Sequence, residues 1–180
     1  SSLVKWFDLK YGKVKLPVSD KADRCFTDSG IVAFKKGQLR IFLRLPGYKF
    51  RPLQADALHL DGWLAGENSL HDAGTYSYAV EGWSYFPSTA AHNTIEFDGS
   101  DQMPRIGRFL YGRWLKRGSL DFNQEHASAS YTDFRGNAHQ RSISFDSPNN
   151  LRVVDQIDGK FNRAVLRWRL RDIPYKLDKN

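Results

Sequence analysis

The sequence contains one cysteine, Cys25, among 180 residues. A single thiol excludes an internal disulfide, a zinc site built from several cysteines and a two-cysteine redox motif. No apolar run approaches the roughly 20 residues that a membrane-spanning helix needs, and the N-terminus lacks the basic, apolar and small-residue zones of a signal peptide. No long stretch carries an apolar stripe at helical spacing either. These absences predict a strand-based domain with little helix and no membrane span.

The overall composition is that of an ordinary globular protein. Hydrophobic residues make up 41% and charged residues 26%, which argues against disorder and fibrous repeats. The net charge of +7 favours anionic partners such as acidic glycans, nucleic acids or lipid headgroups. Because the cations are spread along the chain and no nucleic-acid motif is present, a basic sheet face is expected rather than a nucleic-acid-binding arm.

Apolar and polar residues alternate with a period of two, which is typical of strands. Leu39, Ile41 and Leu43 alternate with Arg40, Phe42 and Arg44 until Pro46. A turn at residues 147–150 predicts a hairpin between residues 142–145 and 151–154. Further strands are predicted at residues 30–34, 57–64, 75–78, 94–97, 108–116, 120–124 and 127–131. The fold class is therefore all-β, an antiparallel, supersandwich-like β-sandwich over residues 28–180, with residues 1–27 as a linker or edge segment.

The last predicted strand carries a row of arginines. Strand alternation would turn Leu166, Trp168 and Leu170 toward the core and the three arginines at 167, 169 and 171 toward the opposite face. Guanidinium groups bind carboxylates and sulfates through two parallel hydrogen bonds. The row therefore predicts either a groove for an anionic glycan or a solvated polar face.

Two histidines have different expected roles. His92 follows a run of small residues, Thr89-Ala-Ala91, and is either a ligand of a metal or substrate or a buried histidine that holds its loop by hydrogen bonds. Pairing with Asp72 suits both roles, because a carboxylate fixes the tautomer of an imidazole with or without metal. His59 alternates with two leucines and is expected to share a strand face with Asp61 rather than to act as a ligand.

Candidate substrate contacts lie in the predicted loops. Trp83 and Tyr85 are placed where binding residues concentrate, and aromatic faces suit the apolar faces of sugars. Tyr76 lies at an alternating strand position, so packing is the favoured role. Arg105 and Arg108 are either anion contacts or solvated cations.

Four sequence blocks in a fixed order resemble a known family. They are Gln54-Ala-Asp-Ala-Leu-His-Leu-Asp61, Asp72-Ala-Gly-Thr-Tyr76, Ser88-Thr-Ala-Ala-His-Asn-Thr94 and Asp98-Gly-Ser-Asp-Gln102. Together they resemble the C-terminal β-domain of heparinase II/III-like proteins, which are bacterial polysaccharide lyases. The resemblance covers most of residues 28–172.

The resemblance implies a function for a larger protein. In such lyases an upstream helical toroid supplies most catalytic groups, the β-domain closes the cleft, and acidic, uronate-containing polysaccharide is cleaved by β-elimination. The expected partners are therefore an acidic polysaccharide and an upstream toroid, with no nucleic acid, and the expected location is periplasmic or secreted. No catalytic residue is assigned to this chain, which is expected to be inactive alone.

The sequence departs from the family pattern at two positions. Pro52 and Gln54 stand where the family has two histidines, whereas Asp72 and His92 match positions that can hold a structural metal. The resemblance thus implies a zinc site at Asp72 and His92, in which Gln54 replaces the usual histidine. The candidate substrate contacts are Gln54, Trp83, Tyr85, Arg105 and Arg108. The loss of the cleft histidine keeps a second hypothesis open: a glycan-binding or surface-polysaccharide assembly protein on the same scaffold.

Overall fold

The computed structural model describes residues 23–75, 77–172, 174 and 176. Its strands are β1 (Arg24–Phe26), β2 (Ile31–Lys36), β3 (Leu39–Arg44), β4 (Leu60–Leu64), β5 (Glu67–Leu70), β6 (Ile95–Phe97), β7 (Arg105–Gly107), β8 (Leu110–Tyr111), β9 (Lys116–Phe122), β10 (His126–Thr132), β11 (Ala138–Ser147), β12 (Asn150–Asp158) and β13 (Ala164–Leu166). Two short 3-10 turns, Trp83–Tyr85 and Thr89–Ala91, are the helical elements of the described residues. Within these residues, no helix is long and apolar enough to cross a membrane.

The strands form a β-sandwich from two larger antiparallel sheets. One sheet has the order β1-β2-β3-β4-β5 and the other the order β12-β11-β10-β9. Two short two-stranded ribbons, β13-β6 and β7-β8, accompany these sheets. The predicted fold class is confirmed.

The core lies between the inner faces of the two sheets. Phe34 and Ile41 from one sheet and Tyr131 and Ile143 from the other are almost completely buried. They occupy alternate strand positions, because successive side chains point to opposite faces. Burying such large apolar side chains contributes about 1.5–3 kcal/mol each.

Several predicted strands match the observed elements. β3 ends at Arg44, just before Pro46, and β11 and β12 form the expected hairpin. Of the predicted N-terminal segment, residues 1–22 lie outside the described residues, while Arg24–Phe26 forms the edge strand beside β2.

Two predicted strands are wrong. Thr75, Ser77 and Tyr78 lie in a loop, and Tyr76, expected to pack, lies outside the described residues. The strand predicted at residues 108–116 is interrupted after Tyr111, where Arg113 has φ +34°. A positive φ does not fit a strand, so the ladder cannot continue there.

The predicted orientation of the last strand is also wrong. Leu166, Trp168 and Leu170 are 43%, 36% and 40% exposed, so they do not enter the core. β13 pairs on one side only, with β6, and the following residues make a single bridge between Leu170 and Leu70. Alternation alone could not reveal that these side chains stay partly exposed.

Candidate functional site

Three polar side chains meet where β4 begins, where β5 ends and where the second 3-10 turn ends. They are His59, Asp72 and His92, and their potential ligand atoms all lie within 4.8 Å of one another. His92 Nδ1 lies 2.8 Å from Asp72 Oδ2, and His59 Nε2 lies 3.7 Å from the same oxygen. The structure therefore brings together the predicted pair, Asp72 and His92, and adds His59, for which no ligand role was predicted.

Asp72 is oriented by a local turn. Its Oδ1 accepts a hydrogen bond of 2.5 Å from the backbone N–H of Gly74, which has φ +69°. Glycine adopts this left-handed conformation without the steric cost that other residues meet. The turn leaves Oδ2 facing the two histidines.

The carboxyl of Asp72 is ionised at neutral pH. Burial raises its pKa, but the hydrogen bond from His92 and the charge of that ring outweigh burial and hold the pKa at about 2. An ionised carboxylate only accepts hydrogen bonds, so His92 Nδ1 carries the proton and donates it.

His59 is held as a neutral ring. Its Nδ1 accepts a hydrogen bond of 3.0 Å from the backbone N–H of Asn93. Burial lowers its pKa to about 3, the charges of His92 and Arg141 act in the same direction, and Asp72 opposes them. With Nδ1 as acceptor, the neutral ring carries its proton on Nε2.

The donor set suits zinc, but the arrangement does not. Two histidines and a carboxylate are common zinc ligands. A metal-bound histidine, however, donates from its second ring nitrogen, whereas the second nitrogen of His59 accepts the Asn93 N–H. Turning the ring would leave that buried N–H unpaired, at a cost of about 1–3 kcal/mol. In this arrangement His59 Nε2 carries a proton and offers zinc no lone pair, while His92 Nε2 is buried without a hydrogen-bond partner among the described residues.

A buried arginine on the opposite sheet supports the backbone that carries both histidines. Arg141 Nη1 donates to the carbonyl oxygens of Leu58 (2.7 Å) and Asn93 (2.6 Å), each next to one of the histidines. Its charge is balanced by two hydrogen bonds to Asp155, and the ring of Trp168 covers it at 4.9 Å. Nothing in the sequence predicts this role, because Arg141 stands on a strand as an ordinary charged residue would.

An open cleft lies beside the cluster. Its volume is about 280 Å³ and it is lined by Arg44, Tyr48, Leu53, Gln54, Thr75, Ser77, Tyr78, Trp83, Phe86, Pro87 and Phe109. Two predicted contact residues, Gln54 and Trp83, are on its wall. Thr75 follows the Asp72–Gly74 turn directly, so the cluster fixes one edge of the cleft.

The other predicted contact residues are not on this wall. Arg105 is bonded to Asp101 and to the hydroxyl of Tyr111, and its guanidinium lies 5.5 Å from the ring centre of Trp83. Arg108 lies on the same indole, at 5.1 Å. Both arginines thus support Trp83.

Tyr85 is bonded within the domain. Its hydroxyl accepts a hydrogen bond of 2.8 Å from Arg169. Of the other arginines in the C-terminal row, Arg167 pairs with Glu96 at 3.0 Å and Arg171 pairs with Glu67. All three of these arginines have internal partners.

The cleft arginine has a buried partner. Arg44 Nε lies 2.9 Å from Asp56 Oδ2. Burial raises the pKa of Asp56, and the charge of Arg44 opposes that effect. This pair holds the guanidinium at the cleft wall.

Comparison with known proteins decides the family. The model of the family described as heparinase II/III-like, C-terminal, matches residues 19–179. The chain belongs to this family. No curated protein matches the sequence.

Solved lyase structures share the fold of this heparinase II/III-like domain. A heparinase III gene product matches with a TM-score of 0.69 and 18% identity, over 87% of this chain and 25% of its own. The heparan sulfate lyase HepC from Pedobacter heparinus matches with a TM-score of 0.67 and 18% identity, over 94% of this chain and 28% of its own. The domain thus spans about a quarter of the length of these lyases.

Proposed function

We propose that this heparinase II/III-like domain is the accessory, non-catalytic β-sandwich of a lyase that cleaves uronate-containing polysaccharide by β-elimination. The supporting observation is the family match over residues 19–179 in a chain that spans about a quarter of the lyases it resembles. The remaining length of those lyases leaves room for the upstream toroid that the family resemblance implies.

The chemistry of elimination explains why the domain needs that partner. The carboxylate of the uronate must be neutralised, a base must remove the neighbouring C5 proton, and an acid must protonate the leaving oxygen. The described residues that line the cleft include no carboxylate and no histidine. Burial raises the pKa of Tyr48 on the same wall, so its phenol keeps its proton.

The cleft instead offers groups that bind. Trp83, Tyr78 and Phe109 present aromatic surface, and Gln54 and Arg44 present hydrogen-bond donors. We assign Trp83 and Gln54 to sugar contacts and Arg44 to attraction of the substrate carboxylate. Arg105 and Arg108 act by holding the indole of Trp83, and Tyr85 borders it through the same 3-10 turn.

The test is a product assay on the protein together with its upstream chain. We expect a panel of uronate-containing polysaccharides to include one that yields an unsaturated uronate, seen by its ultraviolet absorbance. Failure to release product from any member of the panel would contradict the lyase assignment.

A second function is favoured by Pro52 and Gln54. Pro52 is buried and Gln54 lines the cleft, at positions where the resemblance implies histidines. A glycan-binding or surface-polysaccharide assembly protein would retain the binding groups without the chemistry. Binding to an acidic glycan without any product from the complete protein would select this function.

A further inference from the structure

The outer face of the five-stranded sheet combines aromatic and basic side chains. Lys35, Arg40 and Trp63 lie side by side on β2, β3 and β4, because Lys35 pairs with Arg40 and Arg40 with Trp63. Phe42 lies two residues after Arg40 on the same face of β3. Phe42 pairs with Ala33 of β2, and Ala33 pairs with Arg24 of β1. The inward positions between them hold the core, so this face points away from the sandwich interior.

The aromatic rings on this face are open and one of them is fixed. Trp63 and Phe42 are 39% and 41% exposed. The indole N–H of Trp63 donates to Asp61 Oδ1 at 2.6 Å, and Asp61 Oδ2 accepts from Asn68 at 3.3 Å. These bonds set the ring in place before any ligand arrives, which reduces the entropy that binding would cost.

Arg40 is held in place without being neutralised by a carboxylate. Arg40 Nη1 donates to the carbonyl oxygens of Gly37 and Leu39, at 2.9 and 3.0 Å. Within the described part of the chain, no carboxylate forms an ion pair with Arg40 or Lys35. Asp61, the carboxylate beside Trp63, is occupied by the indole and by an amide. The face therefore carries net positive charge next to exposed aromatic surface.

Two hairpin turns border a groove on this face. Its volume is about 640 Å³ and it is lined by Gly37, Gln38, Arg40, Phe42, Trp63, Ala65 and Gly66. The groove shares no residue with the cleft at Arg44 and Trp83.

We propose that this groove is a second binding site for acidic polysaccharide, separate from the cleft. Sugar rings stack on Trp63 and Phe42, since their C–H groups meet the negative faces of the aromatic rings. Arg40 and Lys35 bind the carboxylate or sulfate groups that project from the same sugars. The ligand class rests on the proposed function, while the position of the site rests on the outer face alone.

A second site would change how the protein handles long chains. Binding at the groove and at the cleft would keep a polymer attached between reactions, because the second contact becomes intramolecular. Short oligosaccharides cannot reach both sites, so the groove would not keep them attached between reactions.

The test is binding of the complete protein to immobilised heparan sulfate, compared among matched variants. We expect Trp63→Ala to raise Kd about tenfold, equivalent to about 1.4 kcal/mol, and Arg40→Gln to raise it severalfold with a weaker salt dependence. Trp114→Ala and Arg152→Gln are the controls: Trp114 is 40% exposed with its indole N–H bonded, and Arg152 is an exposed arginine paired with Asp146. Both controls should stay within about twofold of the wild type.

Three results would overturn the proposal. They are unchanged binding in Trp63→Ala, equal loss of binding in the controls, and equally strong Trp63-dependent binding to a neutral glycan or to single-stranded DNA. The lyase assignment is tested separately, because Trp63→Ala should leave turnover of short oligosaccharides unchanged. Product formation without Trp63-dependent binding would refute only the proposed binding site in the groove. Trp63-dependent binding without product would refute only the lyase assignment.

Discussion

At the scale of single residues, His59 links the cluster to stability. The unfolded chain protonates this ring near its ordinary pKa of 6.5, whereas the folded protein keeps it neutral down to about 3. Between these values the unfolded state binds more protons, so the free energy of unfolding falls as the pH falls. From about pH 6.5 to about pH 5 the expected loss from His59 is about 2 kcal/mol.

Urea unfolding of the wild type and of His59→Gln at about pH 7 and about pH 5 checks this prediction. Between the two pH values, the free energy of unfolding of His59→Gln should fall by about 2 kcal/mol less than that of the wild type. Equal pH dependence in wild type and His59→Gln would refute the neutral, buried state of the ring.

The tautomer of His59 also predicts how the cluster responds to metal. Because Nδ1 accepts the Asn93 N–H, zinc has no third protein ligand in the cluster. Chelator or added zinc should therefore shift the thermal midpoint by no more than about 1 °C. A stabilisation of several degrees by zinc that disappears in His92→Ala would show that the site binds metal after all.

Arg141 should be among the residues whose loss destabilises the domain most. Arg141→Met removes two carbonyl bonds and leaves Asp155, whose side chain is 12% exposed, without its arginine. Breaking a buried ion pair costs about 3–5 kcal/mol. Arg152→Gln, which breaks an exposed pair, should cost less than about 1 kcal/mol. Denaturant unfolding that gave similar losses for both variants would contradict the supporting role of Arg141.

The sequence revealed part of this site. Asp72 and His92 were paired from the resemblance, and Gln54 and Trp83 were expected at the substrate. The ligand position of His59 is not predictable from the sequence, because the alternation of apolar residues continues back to residue 57 as in a strand. In the structure Leu58 has φ +58° and the strand begins only at Leu60. Arg141 was missed because burial of a charged residue depends on partners far away in the chain, here Asp155, Leu58 and Asn93.

At the scale of elements, the turn before β2 requires glycine. Gly30 has φ +68°, and an added Cβ would lie 1.6 Å from the backbone oxygen of Leu45. Gly66 also has a positive φ, +84°, but no atom lies within 4 Å of its added Cβ. The two positions therefore share the backbone strain and differ in the steric clash.

Alanine substitutions at Gly30 and Gly66 separate the cost of backbone strain from the cost of the steric clash. Gly66→Ala should cost about 1–2 kcal/mol, the penalty for a left-handed residue with a side chain. Gly30→Ala should cost at least about 2 kcal/mol more, because the clash is with backbone that cannot move aside. Chemical denaturation measures both losses, and equal losses would show that the β2–β3 edge relaxes around the added methyl group.

Regular strands were more predictable than their connections. β3 and the β11–β12 hairpin follow from alternation and turn residues, because alternate positions in these strands are more buried than their neighbours. The loop at Thr75–Tyr78 could not be separated from a strand, because the Asp72–Gly74 hydrogen bond that shapes its start leaves no periodic signal. The exposure of Leu166 depends on which sheet lies opposite, and that is a tertiary property.

At the scale of the molecule, the sandwich provides two polar surfaces on one apolar core. The cleft at Arg44 and Trp83 adjoins the histidine cluster, and the groove at Arg40 and Trp63 lies on the outer sheet face. The sequence predicted the fold class and the family, because both are spread over many residues. The groove could not be predicted, since it requires the register that places Lys35, Arg40 and Trp63 in one row.

The proposed function requires that this domain bind acidic polysaccharide without cleaving it alone. The most direct test is to incubate the 180-residue chain and the complete protein with the same uronate-containing polysaccharide and to follow the ultraviolet absorbance of unsaturated ends. We predict product from the complete protein and none from the domain, although the domain still binds the polymer. Product released by the domain alone would contradict the account.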